Sequence, residues 1–265
     1  MCGIAGFCLD PKEHKGADIN ALAGQMLLDI EHRGQHATGC AWINSRGKRT
    51  IKKAPIAASR LVNHATNLCD NAPAAILHTR WATQGSPKNN SNNHPIPRGK
   101  IVLTHNGHIS NDKELFKQLR VPRHAMVDSE AVAALLAFSS DSPWQALTQV
   151  KGTAALAWLE QDAHNTLHLA RVNSSPLHIG QTKRGSLLYG STYLTIENAA
   201  VMLDTELDWV YEAKEGEYFK VRNGQIVEYE VFKPYRNAFT YNWQDMKFDD
   251  DEEWEAMTEH AMLNY

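Results

Sequence analysis

Cys2-Gly3-Ile4-Ala5-Gly6-Phe7-Cys8-Leu9 is an apolar run at the head of the chain, and it reads as a buried strand. Its first residue directly follows Met1. A methionine ahead of a small residue is readily trimmed, and trimming would place a thiol and a free α-amine on Cys2. The thiolate is the attacking species of a cysteine. An α-amine titrates near pH ~8 and a thiol near ~8.5, so the two can exchange a proton around neutrality. One residue would then supply both a nucleophile and its base. Taken alone, the same cysteine also reads as a small buried residue opening a strand.

Outward from this run, Asp18 caps a helix that places Ile19, Leu22, Ala23, Met26, Leu27 and Ile30 on one face. The helix stops at His32-Arg33-Gly34. Residues 38–43 predict a second strand, and Arg46-Gly47-Lys48-Arg49 a solvated hairpin turn before residues 50–53. Residues 74–79 and 101–105 are short apolar strands separated by a polar loop, 84–93. Helices are expected from Asn111 or Asp112, from Asp128 to Phe138, and after the Ser142-Pro143 cap pair. From residue 153 onward β-type runs dominate, interrupted by helical pattern at Tyr193–Met202. Strands, then helices, then strands predict an α+β architecture of two stacked sheets covered by helices. One domain to about residue 232 is the simplest division. Residues 233–265 form an acidic-aromatic tail, with Asp249 to Glu253 beside Trp243, Phe248, Trp254 and Tyr265.

Bulk properties exclude several classes. The chain has 265 residues, 43% hydrophobic and 22% charged, ordinary for a globular protein. A net charge of −3 gives no steering towards nucleic acid or an anionic membrane. No apolar stretch spans a bilayer, and no secretory signal opens the chain. Cys2, Cys8, Cys40 and Cys69 lack C-x-x-C spacing, so they indicate neither a zinc site nor a redox pair. A reducing, cytoplasmic setting fits them.

Chemistry concentrates in four further clusters. Glu31 to Gly39 has glycines at 34 and 39, but Cys40-Ala41 stand where a phosphate loop needs Lys and Ser/Thr. His78-Thr79-Arg80-Trp81-Ala82-Thr83 ends a strand with an arginine able to clamp a carboxylate. Asn106-Gly107, just past a strand, offers a side-chain amide beside a backbone N–H, a donor pair suited to an oxyanion; in isolation it also reads as a plain turn. Asp128 opens a helix, either as its cap or as an acceptor for an ammonium group. Together these describe a thiol nucleophile, an oxyanion donor pair, an anion clamp and a cation acceptor. The last two match the headgroup of a free amino acid.

The motifs CGIAGF, EHRGQHATG, HTRWATQG, N-N-H-P at 92–95, HNGHISN and VDSEAVAAL stand in the order and at spacings that resemble the class II, N-terminal nucleophile (Ntn) glutamine amidotransferase domain. The resemblance covers residues 2 to about 230. It implies a four-layer αββα sandwich of two mainly antiparallel sheets. It implies Cys2 as nucleophile with its α-amine as general base and acid, and Asn106 and Gly107 as the oxyanion hole. Arg80 would hold the α-carboxylate of L-glutamine and Asp128 its amine. Trp81 and Thr83 would line the pocket, and Arg33 would order the surroundings of Cys2. No metal or organic cofactor is required. Gln84 and Gln35-His36-Ala37 depart from the family pattern, with altered tuning expected. The resulting expectation is a glutaminase that supplies ammonia to a separate synthetase subunit. Hydrolysis of another γ-glutamyl amide and a non-catalytic glutamine-sensing module are the alternatives.

Overall fold

The structure is a computed structural model, and it describes residues 1–44, 46–64 and 67–235. The expected tail falls outside the described residues from position 236.

Thirteen strands among the described residues form two antiparallel sheets. The first holds β1 (Gly3–Cys8), β2 (Ala37–Ile43), β3 (Arg49–Ala54), β4 (Ala74–Arg80), β9 (His178–Thr182), β10 (Leu187–Gly190) and β11 (Leu207–Glu212), in the order β11-β9-β10-β1-β4-β2-β3. The second holds β5 (Ile96–Arg98), β6 (Ile101–Ile109), β7 (Gly152–Glu160), β8 (Thr166–Arg171), β12 (Glu217–Arg222) and β13 (Gln225–Val231), in the order β13-β12-β8-β7-β6-β5. The helices are α1 (Pro11–His14), α2 (Ile19–Asp29), α3 (Ala58–His64), α4 (Asp112–Leu119), α5 (Ser129–Phe138), α6 (Pro143–Leu147) and α7 (Tyr193–Met202).

Period-two alternation explains why the central strands are apolar on both faces. Along β1, Ile4 and Cys8 enter one core, while Ala5 and Phe7 enter another. β4 divides likewise, with Ala74 and Ile76 on one side and Ala75 and Leu77 on the other. The outer face meets α2, α3 and α7 through Leu22, Met26, Ala58 and Ile196. Each large side chain buried there contributes about 1.5–3 kcal/mol. The inner face meets the second sheet through Val102, Ala155, Ala157 and Leu169. The far side of that sheet buries Leu103, Leu156 and Trp158 against Leu115, Ala131 and Leu147 of α4, α5 and α6. The three cores thus separate four layers, αββα, the expected sandwich.

Sequence boundaries hold where local chemistry sets them. The Asp18 carboxylate accepts from the Ala21 N–H at 3.0 Å and caps α2. β6 is longer than expected. It continues past His105 to Ile109, because β7 supplies partners to its end, with Asn106 opposite Ala155 and Gly107 opposite Ala154. Asn106-Gly107 is therefore part of a strand and not a turn. Gly107 has φ +144°, and a Cβ there would lie 2.0 Å from the Thr153 carbonyl oxygen, so only glycine fits. α3 and the three-residue β5 were not expected from the sequence.

Candidate active site

Cys2 stands one residue before β1, and Arg80 closes β4. Gly3 pairs with Thr79, so the antiparallel register delivers Cys2 and Arg80 to the same end of the first sheet. The second sheet contributes Gly107 of β6, and the start of α5 contributes Asp128. Cys2, Arg80, Trp81, Thr83, Gly107 and Asp128 line one narrow cleft with about 290 Å³ of empty volume. A roomier cleft, with about 970 Å³ of empty volume and lined by Lys12, Glu13, Arg184 and Asp204 among others, carries no cysteine. Two expected residues are not among those lining the narrow cleft. Asn106 lies between His105 and Gly107, and strand alternation puts it on the β6 face of Val102, which looks at the first sheet. Arg33 meets the site through the Cys2 backbone, its Nε donating to the Cys2 carbonyl at 3.0 Å.

Cys2 is half-buried behind an exposed Met1, and its Sγ lies 3.6 Å from the Trp81 carbonyl oxygen. Burial pushes its thiol pKa up; the Trp81 backbone, the N-terminal ammonium and Arg80 oppose that shift, and Asp128 reinforces it. Arg80 is 3% exposed. Its Nη1 donates to Asn93 Oδ1 at 2.7 Å, and its Nη2 to the carbonyls of Gln84 and Gly85. These hydrogen bonds all go to neutral oxygens, which orient the guanidinium, and the Asp128 carboxylate acts on its charge from the same cleft. Loop 84–93 is held in turn by asparagines. Asn93 Nδ2 donates to the Pro87 carbonyl at 2.7 Å and to Asn90 Oδ1 at 2.9 Å. Asn92 donates to the Ser86 carbonyl at 3.1 Å and accepts from the Met126 N–H at 2.8 Å. The N-N-H-P stretch thus braces the arginine.

Asp128 caps α5, the first of its two sequence readings. Oδ1 accepts from the Ser129 N–H at 2.9 Å, Oδ2 from the Ile109 N–H at 2.7 Å, and the carboxylate still borders the cleft. Asn106 is 2% exposed, and its Nδ2 has no hydrogen-bond partner among the described residues. Buried donors left unpaired are rare in folded proteins and cost about 1–3 kcal/mol each.

The sequence reading missed a group of imidazoles behind the cleft. His94 and His105 line it, and His78 stacks on His94 with ring centroids 4.1 Å apart. His78 Nε2 contacts the His105 carbonyl at 3.1 Å, and His105 Nδ1 contacts Ser129 Oγ at 2.8 Å. Burial holds His78 down to about 3 and lowers His94 and His105 as well, so the group stays neutral at physiological pH. The signal available in the sequence was the histidine inside each of HTRWATQG, N-N-H-P and HNGHISN.

Residues 78–198 match the family model described as a glutamine amidotransferase domain. The chain is 31% identical over 199 residues to a glutamine–fructose-6-phosphate aminotransferase (isomerizing) of Helicobacter pylori, covering 70% of this chain and 31% of the relative. The enzyme of the same name from Pyrococcus horikoshii is 33% identical over 238 residues, covering 84% of this chain and 38% of the relative. The chain therefore spans about a third of the length of these curated relatives. Among solved structures, the glutamine phosphoribosylpyrophosphate amidotransferase of B. subtilis superposes with TM-score 0.67 at 20% identity, over 87% of this chain and 49% of that one. A glutamine aminotransferase class-II domain protein from Silicibacter pomeroyi superposes with TM-score 0.52 at 16% identity, over 88% of this chain and all of that one. At such identities these structures speak for the fold. Ordered motifs, sandwich and relatives agree: the chain carries a class II, N-terminal nucleophile glutamine amidotransferase domain.

Proposed function

We propose that residues 1–232 form a glutaminase domain that hydrolyses L-glutamine to glutamate and ammonia through a γ-glutamyl thioester on Cys2. With Met1 removed, the Cys2 α-amine takes the thiol proton and the sulfur attacks the side-chain carboxamide carbon. The C=O pair moves onto oxygen, where Asn106 Nδ2 and the Gly107 N–H stabilise it. The tetrahedral intermediate collapses, the C–N bond breaks, and the α-ammonium protonates the departing ammonia. Water, deprotonated by the same amine, then attacks the thioester and releases glutamate and the thiol. Arg80 receives the substrate α-carboxylate and Asp128 its α-ammonium. The chain's own residues supply every group this scheme requires.

The observation that carries this reading is the buried Asn106 amide, unpartnered among the described residues, one residue from a cleft that holds a thiol, a guanidinium and a carboxylate. Free ammonia release would waste glutamine, so the proposal includes an ammonia-accepting partner, a separate synthetase subunit. Four free cysteines fit a cytoplasmic setting. The test is glutamate release from glutamine by the parent and by Cys2→Ala, with γ-glutamyl amides as competing substrates. Turnover of glutamine lost in Cys2→Ala supports the reading. Preference for a substituted amide would move it to another amidohydrolase, and binding of glutamine without turnover in the parent, alone or with its partner, would make the domain a sensor. Recovery of the native protein free of any synthetase subunit would remove the separate acceptor.

A further inference from the structure

The peptide unit joining Trp81 to Ala82 is engaged at both ends. Its carbonyl oxygen faces Cys2 Sγ at 3.6 Å, and its N–H donates to His36 Nδ1 at 2.9 Å. A peptide is planar and rigid, so fixing the N–H fixes the direction of the carbonyl. His36 is well placed to do this. Its own N–H donates to the Arg80 carbonyl at 3.0 Å, which joins it to the end of β4. Its ring lies over the Trp81 indole, with centroids 4.7 Å apart at an interplanar angle of 32°. Gly34, two residues earlier, passes so near that a Cβ on it would come within 2.5 Å of the Trp81 nitrogen. The stretch 34–36 is thus seated on a segment that contacts the thiol. His36 is exposed, so burial does not explain its position.

We propose that His36 is a positioning residue for Cys2: its Nδ1 holds the Trp81–Ala82 peptide plane, and that plane holds the sulfur. The inference rests on the glutaminase reading above. The remaining rim of the cleft is anchored separately, since Arg80 binds the carbonyls of Gln84 and Gly85. The geometry therefore assigns His36 to the chemical step and leaves the substrate headgroup to Arg80 and Asp128.

Three variants of the full chain test this. His36→Phe keeps a ring over Trp81 and loses the acceptor. His36→Ala loses both. His36→Asn places an amide oxygen where Nδ1 stands. Two readouts are taken: hydrogen exchange of the Ala82 amide by mass spectrometry, and steady-state glutamine hydrolysis. In Phe and Ala, exchange at Ala82 accelerates and kcat falls roughly three- to tenfold, the worth of one hydrogen bond, with KM within about twofold of the parent. Asn restores both towards parent values. A parent-like kcat in His36→Phe, or an Asn variant no better than Phe, overturns the role of His36 while the glutaminase reading stands. A fall confined to KM overturns it too. A parent chain that never turns over glutamine removes the underlying reading and this inference with it, whatever the exchange rates show.

Discussion

Replacing Asn106 by alanine separates rate from stability. The amide nitrogen donates to nothing among the described residues, so its loss forfeits none of that atom's hydrogen bonds there and removes a buried polar donor that costs about 1–3 kcal/mol. Against this stands lost packing around a side chain that is 2% exposed, about 1–2 kcal/mol for so small a truncation. The two offset within about 1 kcal/mol, which shifts the melting temperature of a body this size by roughly 2–4 °C. The rate behaves differently. Removing one donor from an oxyanion hole lowers kcat by about 10²–10³, equivalent to about 2.7–4 kcal/mol in the barrier. KM stays near its parent value, because the neutral carboxamide of the ground state gains little from a donor aimed at an anion. Initial rates of glutamate release across a glutamine series, together with scanning calorimetry, measure both quantities. A kcat within tenfold of the parent refutes the oxyanion role. A melting temperature lowered by more than about 8 °C refutes the claim that this amide is idle in the resting fold.

Cys2→Ala eliminates turnover while calorimetric glutamine affinity stays within a few-fold, and intact-mass analysis of active material finds Cys2 as the first residue. Arg80→Lys cannot reproduce the fork that meets Asn93, Gln84 and Gly85; it raises KM about 10- to 100-fold and costs about 1–3 kcal/mol of stability, read from steady-state kinetics and denaturant melts. In acid, His78 and His168 have folded-state pKa values near 3, against about 6.5 unfolded, so the unfolded chain binds more protons between these values. Stability then falls as pH drops from about 6.5 towards 3, by about 1.4 kcal/mol per pH unit for each such group, and His168→Phe shows a shallower acid limb in urea titrations. At the other end, burial and Arg80 hold Lys53 down to about 8. Stability rises with pH from about 8 to the ordinary lysine range near 10.4, and Lys53→Met flattens that rise in thermal melts.

Elements fixed by nearby residues were legible in the sequence. Tyr193–Met202 is helical as expected, and the Thr192 side chain accepts from the Thr195 N–H at its start. The apolar runs of β1 and β4 and the β-type run of β7 announced strands, and the order of strands, helices and strands announced stacked sheets covered by helices. Asn106-Gly107 shows where local reading fails. The pair has turn chemistry, and only the register with Gly152–Ala155, more than forty residues away, makes it strand. The same applies to the cleft. Cys2, Arg80, Gly107 and Asp128 stand out in the sequence by their chemistry, and the fold brings them to one cleft. His94 and His105 became cleft walls only through the stacking of β4 on β6, and Asn92 and Asn93 became braces only once loop 84–93 folded back over Arg80. No spacing along the chain encodes those contacts.

The cleft takes its sulfur and guanidinium from the end of one sheet, its glycine from the other and its carboxylate from the start of α5. No single layer owns it, so turnover gauges how the layers are seated. Sliding one sheet past the other by a single residue, about 3.4 Å, would carry Gly107 out of reach of anything held by Cys2 without breaking a rung of either ladder. Rate would then fail before circular dichroism registers any change, which makes this enzyme's activity a ruler laid across its own apolar seam.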